Sequence, residues 1–121
     1  MQNAVQAYGS IAKQITNPRE LEADLLLKAA SRLKAIQDAW EQSKPDLDDA
    51  LLYNRKLWTI FLTSATSADN PLPTDIRQNV ANLGVFVMNQ TLAVMSDPRP
   101  ERLSTLININ CELAAGLRGG A

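Results

Sequence analysis

Histidine is absent from this sequence of 121 residues, and cysteine occurs once, at Cys111. The lack of histidine excludes His-based triads, histidine proton shuttles and the usual zinc, copper or haem ligation. A single cysteine cannot form an internal disulfide, so nothing marks an oxidising compartment and a reduced cytoplasm is the simplest expectation. Because Cys111 lies among apolar neighbours, we expect it to be a buried, inert thiol.

The sequence also lacks a charge excess, a secretory leader and an unbroken apolar run. Lysine and arginine number 12 against 13 aspartates and glutamates, and a formal charge of −1 gives no general attraction to nucleic acid or anionic lipid. The N-terminus has neither a basic start nor a continuous apolar stretch. Residues 78–96 carry no charge, but amides and Gly84 interrupt them, which favours a bundle helix over a membrane span. We expect no direct nucleic-acid partner and no membrane insertion.

No pattern typical of an active site occurs in the sequence. There is no Walker motif and no Gly-x-Gly-x-x-Gly to hold a nucleotide. Asp46, Asp48 and Asp49 are clustered, but they lack the spaced oxygen ligands of a calcium loop, and Asp46 is better placed to cap a helix. We therefore predict a protein that is not an enzyme, with no catalytic residues, no cofactor and no metal site.

The prolines, at positions 18, 45, 71, 73, 98 and 100, separate segments with helical apolar spacing. They predict long helices that start near Pro18, Asp46, Pro73 and Pro100, and an amphipathic stretch over residues 3–15 predicts a shorter helix before them. No segment alternates as a strand would. The sequence thus predicts one all-α domain over residues 1–121, with a short N-terminal helix (1–16) and an antiparallel bundle of four long helices (17–118).

Apolar residues recur every three or four positions along each predicted long helix, which predicts the face that the helix buries. The predicted inward positions are Leu26, Ala29, Leu33, Ile36 and Trp40; Leu47, Leu51, Asn54, Trp58, Phe61 and Ala65; Ile76, Val80, Leu83, Val87, Val94 and Met95; and Leu103, Leu106, Ile107, Asn110 and Leu113. Residues 57–68 carry no charge, so we expect that helix to be buried on more than one side. Gly119 and Gly120 predict the end of the last helix.

Amide side chains stand out on these apolar helices, at Asn54 and again at Asn79, Asn82, Asn89 and Gln90. Buried amides need hydrogen-bond partners, so one interpretation is a network between helices with Arg55 or Arg77 at its edge. The other interpretation is a partner-binding surface, and both can hold in different parts of the chain. Trp40 and Trp58 are open to the same two interpretations, as core residues or as binding hot spots. The N-terminal helix could dock on the bundle or cover a groove.

Several uncommon polar sequences occur in order along the chain and resemble the FlaF family. They are Ala50–Trp58 (ALLYNRKLW), Asn70–Pro73 (NPLP) and Ile76–Leu83 (IRQNVANL), with supporting matches at Ala4–Tyr8, Pro18–Glu22, Asp97–Pro100 and Ala115–Leu117. FlaF proteins are flagellar biosynthesis regulators of alphaproteobacteria. The resemblance implies a small cytoplasmic, non-enzymatic protein needed for flagellin production and export, acting beside the FlbT family of flagellin translation repressors.

An export chaperone holds its client by shape and apolar surface, which agrees with a chain that lacks reactive side chains. Our hypothesis is that flagellin binds the groove between the helices that start near Asp46 and Pro73. The residues expected to bind it are Tyr53, Arg55, Lys56, Trp58, Arg77, Gln78 and Asn82. Two alternatives stay open: a regulator that contacts flagellin messenger RNA, and an adaptor that acts on flagellin translation with an FlbT-like protein.

Overall fold

The computed structural model describes residues 18–119, which form helices and connecting turns with no strand among them. The helices are α1 (Pro18–Asp38), α2 (Trp40–Ser43), α3 (Leu47–Ala65), α4 (Thr74–Ser96) and α5 (Leu103–Leu117), with single 3₁₀ turns at Lys44–Asp46 and Pro100–Arg102. The expected all-α class is confirmed, with four long helices in this part of the chain. The helix predicted over residues 1–16 lies outside the described residues.

Proline and glycine mark the helix boundaries much as expected. Pro45 and Pro100 each lie in a 3₁₀ turn directly before a long helix, and Pro73 is the N-cap of α4. Gly119 ends α5 with a φ of +73°, the left-handed conformation that glycine adopts without strain. Asp46 is the N-cap of α3, but its side chain makes no capping hydrogen bond, so the expected side-chain cap is wrong.

The first long helix is shorter than the sequence pattern suggests. Ala39 leaves helical geometry, with φ −123° and ψ 50°, and separates α1 from α2. The chain then turns through Lys44–Asp46 into α3. Trp40, which follows the break, is only partly buried instead of completing the inward row of α1.

Contacts at both ends of α1 show how it packs on α5. The Gln37 side-chain amide donates to the backbone oxygen of Pro100 at 2.8 Å and to Ser104 Oγ at 2.9 Å, beside the start of α5. At the other end, Arg118 pairs with Asp24. The end of α1 therefore lies next to the start of α5, and the start of α1 next to its end.

The core consists of one apolar cluster to which all four long helices contribute. The inward row predicted for α3 is confirmed in full, since every residue of it is buried. The inward row predicted for α4 is wrong at both ends, because Ile76 is 41% exposed and Met95 is 48% exposed. Ile76 belongs to the first turns of α4, where Asp75 and Gln78 are also exposed, so the end of the helix extends beyond the core.

Two further burial expectations are wrong. The helix α3 is not buried on more than one side, because Thr59, Ile60 and Thr63 are exposed although no charge lies near them. Cys111 is exposed as well. It follows the buried Asn110 by one position, which turns it about 100° around α5 and onto the outward face of that helix.

Candidate partner-binding surface

A polar junction lies inside the core where α1, α3 and α5 meet, and Asn110 is its centre. Trp58 Nε1 donates to Asn110 Oδ1 at 2.9 Å. The Asn110 amide nitrogen donates to Asn54 Oδ1 at 2.7 Å and to the backbone oxygen of Leu26 at 3.2 Å. Asn54, Trp58 and Asn110 are each 0% exposed, so these bonds form in a medium where unpaired polar groups are costly.

The junction decides the interpretation of Asn54 but not that of the other amides. Asn54 belongs to an interhelical network, as one of the two alternatives predicted, although neither Arg55 nor Arg77 contributes to it. Asn79, Asn82 and Asn89 are exposed on α4, and Gln90 donates to the backbone oxygen of Arg102 at 3.4 Å. The surface interpretation therefore remains available for the exposed amides of α4.

Two of the aromatic residues predicted for the binding site point elsewhere. Trp58 is in the core, with its ring edge-on to Phe61 at 5.7 Å between centroids, so its expected place on a partner-binding surface is wrong. Its indole N–H donates to Asn110 inside the core and is therefore not available to a partner. Tyr53 is half-buried, and the Arg32 guanidinium of α1 lies 5.2 Å from its ring centroid. Tyr53 thus faces α1 and not α4.

Two of the three site residues predicted on α4, Arg77 and Gln78, border α3. Arg77, Gln78 and Ala81 line an open depression of about 260 Å³ together with Ala65 and Thr66 at the end of α3. The structure therefore brings Arg77 and Gln78 to the boundary of these two helices.

Each of these polar side chains has a local partner. Arg77 Nη1 donates to the backbone oxygen of Ser67 at 2.8 Å, which holds the start of α4 against the preceding loop. Gln78 donates to Asn82 Oδ1 at 3.1 Å, one turn further along α4. The Nε of Arg77 is buried without a hydrogen-bond partner.

Beyond this depression, the boundary of α3 and α4 continues as an exposed surface. We name it the α3–α4 face and define it by six residues: Leu52, Arg55 and Thr59 on α3, and Val85, Leu92 and Met95 on α4. Spacings of three, four and seven residues relate these positions to Thr66 and Ala81, which line the depression, so each group lies on the side of its helix that borders the other helix. All six are exposed.

The two helices approach closely at Gly84. A Cβ atom on Gly84 would lie 2.5 Å from Cγ and Cδ2 of Leu62, a separation that carbon atoms do not tolerate. Glycine is therefore required here for close approach of the α4 backbone to the Leu62 side chain. The contact also fixes the register of the α3–α4 face along both helices.

Threonine hydroxyls on this side of α3 are hydrogen-bonded within the helix. Thr59 donates to the backbone oxygen of Arg55, Thr63 to that of Thr59, and Thr66 to that of Leu62, at 2.9 to 3.0 Å. Each hydroxyl hydrogen is already used, so these side chains offer no free donor to a partner. The surface beside the apolar residues of α4 is consequently less polar than its threonine content suggests.

Beyond their acidic first turns, α3 and α4 carry charge of one sign. Between Asp49 and Asp69 the charged residues are Arg55 and Lys56, and between Asp75 and Asp97 the one charged residue is Arg77. Arg55 and Lys56 are exposed, and none of the ion pairs in residues 18–119 includes any of these three cations. The long middle part of the surface therefore has cations and no carboxylates.

The sequence pattern did not predict a binding role for the apolar members of the α3–α4 face, and it placed Met95 on the inward row. Val85 is 57% exposed and Leu92 is 55% exposed, although neither lies on the inward row predicted for α4. The signal is present in the sequence, because Val85 and Leu92 are seven residues apart in a segment without charges. A second apolar row on such a helix indicates that the helix has two apolar faces, of which the core buries one.

Glu22 is a titratable residue that lies beside the apolar core. Glu22 lines a small cavity of about 20 Å³ with apolar neighbours that include Phe61, Val80 and Leu117. Burial raises the pKa of the Glu22 carboxyl, and the nearby positive charge of Arg19 lowers it by a smaller amount. Residues 18–119 contain no group of three side chains suited to hold a metal ion. None of the helices described is both long enough and apolar enough to cross a membrane.

Taken together, the described residues form an all-α protein with a polar junction in its core and an exposed apolar face on one helix pair. A family model with the description "Flagellar protein FlaF" matches residues 4–117. The match extends over most of the sequence, and the chain belongs to the FlaF family. Searches of curated proteins and of solved structures found no match.

Proposed function

We propose that this chain is a non-enzymatic flagellar biosynthesis protein that promotes flagellin production and secretion. In this proposal it binds monomeric flagellin in the cytoplasm and keeps it competent for export. Membership of the FlaF family supports the flagellar context. The α3–α4 face is the observation that carries the binding role, because Val85 and Leu92 expose apolar surface that nothing within the described chain covers.

The contacts between the long helices support a proposal for how these helices are arranged. We infer that the four long helices form an antiparallel bundle, because α1 and α5 meet end to start and Gly84 of α4 packs on Leu62 of α3. A rigid bundle presents a fixed pair of helices to a client at little cost in conformational entropy. Reactive side chains are not needed for this task.

The binding set that we propose differs from the one expected from sequence. Arg77 and Gln78 remain in it because they line the depression between α3 and α4, and Arg55, Lys56 and Asn82 remain in it because they are exposed. Tyr53 and Trp58 leave it, because the first packs under Arg32 and the second is in the core. Leu52, Val85, Leu92 and Met95 enter it.

Isothermal titration with purified monomeric flagellin tests the proposal, with a flagellin that lacks its terminal helical segments as the comparison. We expect micromolar or tighter binding to intact flagellin alone, in the range that exposed helix faces reach in peptide recognition. No binding to either form would overturn the chaperone role. The adaptor acting with an FlbT-like protein would then become the favoured function, and a pull-down with that purified partner would test it.

A further inference from the structure

We infer that the α3–α4 face binds an amphipathic helix of a protein partner, one whose apolar stripe is bordered by carboxylate side chains. The inference rests on the proposed function and adds two things to it, the surface that is used and the chemistry of the segment that docks there. Three observations carry it: the exposed apolar rows, the sign of the nearby charges and the exposed amides.

The apolar row of α4 is suited in length to one docked helix. Val85, Leu92 and Met95 are 57%, 55% and 48% exposed, and Leu52 of α3 is 46% exposed on the other side of the boundary. From Val85 to Met95 the row extends over about 15 Å at 1.5 Å per residue, which corresponds to about three helical turns of a partner. An apolar row on one helix, facing Leu52 across a shallow boundary, resembles the grooves that accept amphipathic helices.

The charges indicate what borders the stripe of the partner. Arg55 and Lys56 lie on either side of the Leu52–Thr59 row, are exposed, and take part in none of the ion pairs found in residues 18–119. Arg77 adds positive charge near the other end of the face, although its Nε is buried and its Nη1 donates to the backbone oxygen of Ser67. Carboxylates at the edges of a docked stripe would meet these cations, whereas lysines there would be repelled. The complementary helix is therefore an acidic one.

The amides beside the face favour protein over lipid. Gln78, Asn82 and Asn89 are exposed on α4 next to the apolar row. Hydrocarbon offers amides no hydrogen-bond partners, so immersing this surface in a bilayer would leave them unsatisfied. Polar side chains at the edge of a protein helix can pair with them. The face also lacks the exposed aromatic rings on which single-stranded nucleic acid stacks, since Tyr53 and Trp58 point elsewhere.

The first test removes apolar surface from the face and compares it with a matched change outside it. The variant carries Val85→Gln and Leu92→Gln. The control carries Phe86→Gln, because Phe86 is 47% exposed on the same helix but about 120° away from Leu92 around the helix axis. We expect the double variant to bind monomeric flagellin at least about tenfold more weakly and the control to stay within about twofold of the wild type.

The second test reverses the cations. Arg55→Glu with Lys56→Glu is compared with Lys28→Glu, which changes an exposed lysine of α1 away from the face. At low salt we expect about tenfold weaker binding of the first variant, a loss that shrinks as salt screens the charges, and little change for the second. Flagellin in which the acidic residues of its terminal helical segments are changed to Gln or Asn should bind the wild type and the Arg55/Lys56 variant about equally well.

The outcomes separate this inference from the proposed function. If the wild type fails to bind flagellin, the proposed function is overturned. If the wild type binds but the Val85/Leu92 variant binds equally well, or Phe86→Gln is the damaging change, only the face assigned here is wrong. Binding of the wild type to phosphatidylglycerol vesicles but not to flagellin, lost in the Val85/Leu92 variant, would replace the protein helix with a lipid surface. Circular dichroism and urea midpoints confirm that each variant is folded.

Discussion

The polar junction in the core and the α3–α4 face use the same kinds of residue for opposite purposes. Asn110 and Asn54 are surrounded by apolar residues and bonded to each other, whereas Asn82 and Asn89 lie in the open beside Val85 and Leu92. In the junction, directional bonds favour one arrangement of three helices, because a shifted register would break them and leave more buried polar atoms unpaired than the Asn54 Nδ2 that lacks a partner here. On the face, apolar and polar groups remain without cover. The comparison shows that the packing of neighbouring helices decides whether an amide on an apolar helix is buried in a hydrogen-bond network or exposed on the surface.

The largest effect is expected from breaking the junction at its centre. Asn110→Ala removes the acceptor of Trp58 Nε1 and a partner of Asn54, and it leaves both groups buried. Unpaired buried polar groups and the lost bonds together should lower the free energy of unfolding by about 3 kcal/mol. Urea unfolding followed by circular dichroism measures it.

The control for the junction is Asn89→Ala on the exposed side of α4. A solvated amide loses little when it is truncated, so stability should change by less than about 0.5 kcal/mol. Equal losses in the two variants would mean that the junction is no more important to the fold than a surface amide.

Gly84 sets how closely α4 approaches α3 beside the α3–α4 face. Gly84→Ala gains helix propensity, worth about 1 kcal/mol, but places a Cβ 2.5 Å from Leu62. The clash involves Cγ as well as Cδ2, so the side chain must move and not merely rotate at its tip. We expect a net loss of about 1 kcal/mol in a thermal or urea melt, because overpacking outweighs the gain in propensity.

A double-mutant cycle sharpens the assignment of that loss to Leu62. With Leu62→Ala in place the added methyl has room, so Gly84→Ala should become neutral or stabilising in this background. Gly116 offers a matched control on α5, because nothing lies within 4 Å of a Cβ added there. Gly116→Ala should stabilise the protein by up to about 1 kcal/mol. Additive behaviour of the Leu62 and Gly84 changes would place the strain elsewhere.

The sequence predicts more of the core than of the α3–α4 face. The helix starts and the buried row of α3 follow from proline positions and from three- and four-residue spacing, which are local properties. The need of Asn54 for a buried partner was also predictable. That its partner is Asn110, 56 residues later, depends on which helices meet and is not contained in either segment.

The binding surface was harder to predict than the core for a physical reason. An inward row and an exposed apolar row have the same spacing, and Val85 on one differs from Val87 on the other only in direction around α4. The sequence placed Trp58 on the inward row of α3 and also in the expected binding set, because tryptophan is common in binding sites; like its neighbours Asn54 and Phe61 on that row, it is buried. Which of the two rows faces the core depends on how α4 packs on α3, and the sequence of α4 alone does not contain that information.

On the α3–α4 face, binding and stability should respond independently. Val85→Gln with Leu92→Gln removes apolar surface that is already exposed, so the free energy of unfolding should change by less than about 0.5 kcal/mol while flagellin binding falls. Differential scanning calorimetry beside the titration measures both quantities on one sample. A large drop in melting temperature would show that these side chains support the fold, and the loss of binding would then say nothing about a surface.

The smallest effect is expected at Glu22, where a carboxyl lies against the apolar end of the core. Its pKa is raised in the folded state by burial, so folding favours the protonated form. The stability contributed by that form is fully present below the unfolded pKa and is lost as pH rises through the folded pKa. Glu22→Gln keeps the shape without the charge, so it should raise the melting temperature near pH 7 by no more than about 2 °C, with the gain vanishing as pH falls below about 4. An equal gain at both pH values would mean that the substitution acts through packing beside Phe61 and Leu117 and not through the charge.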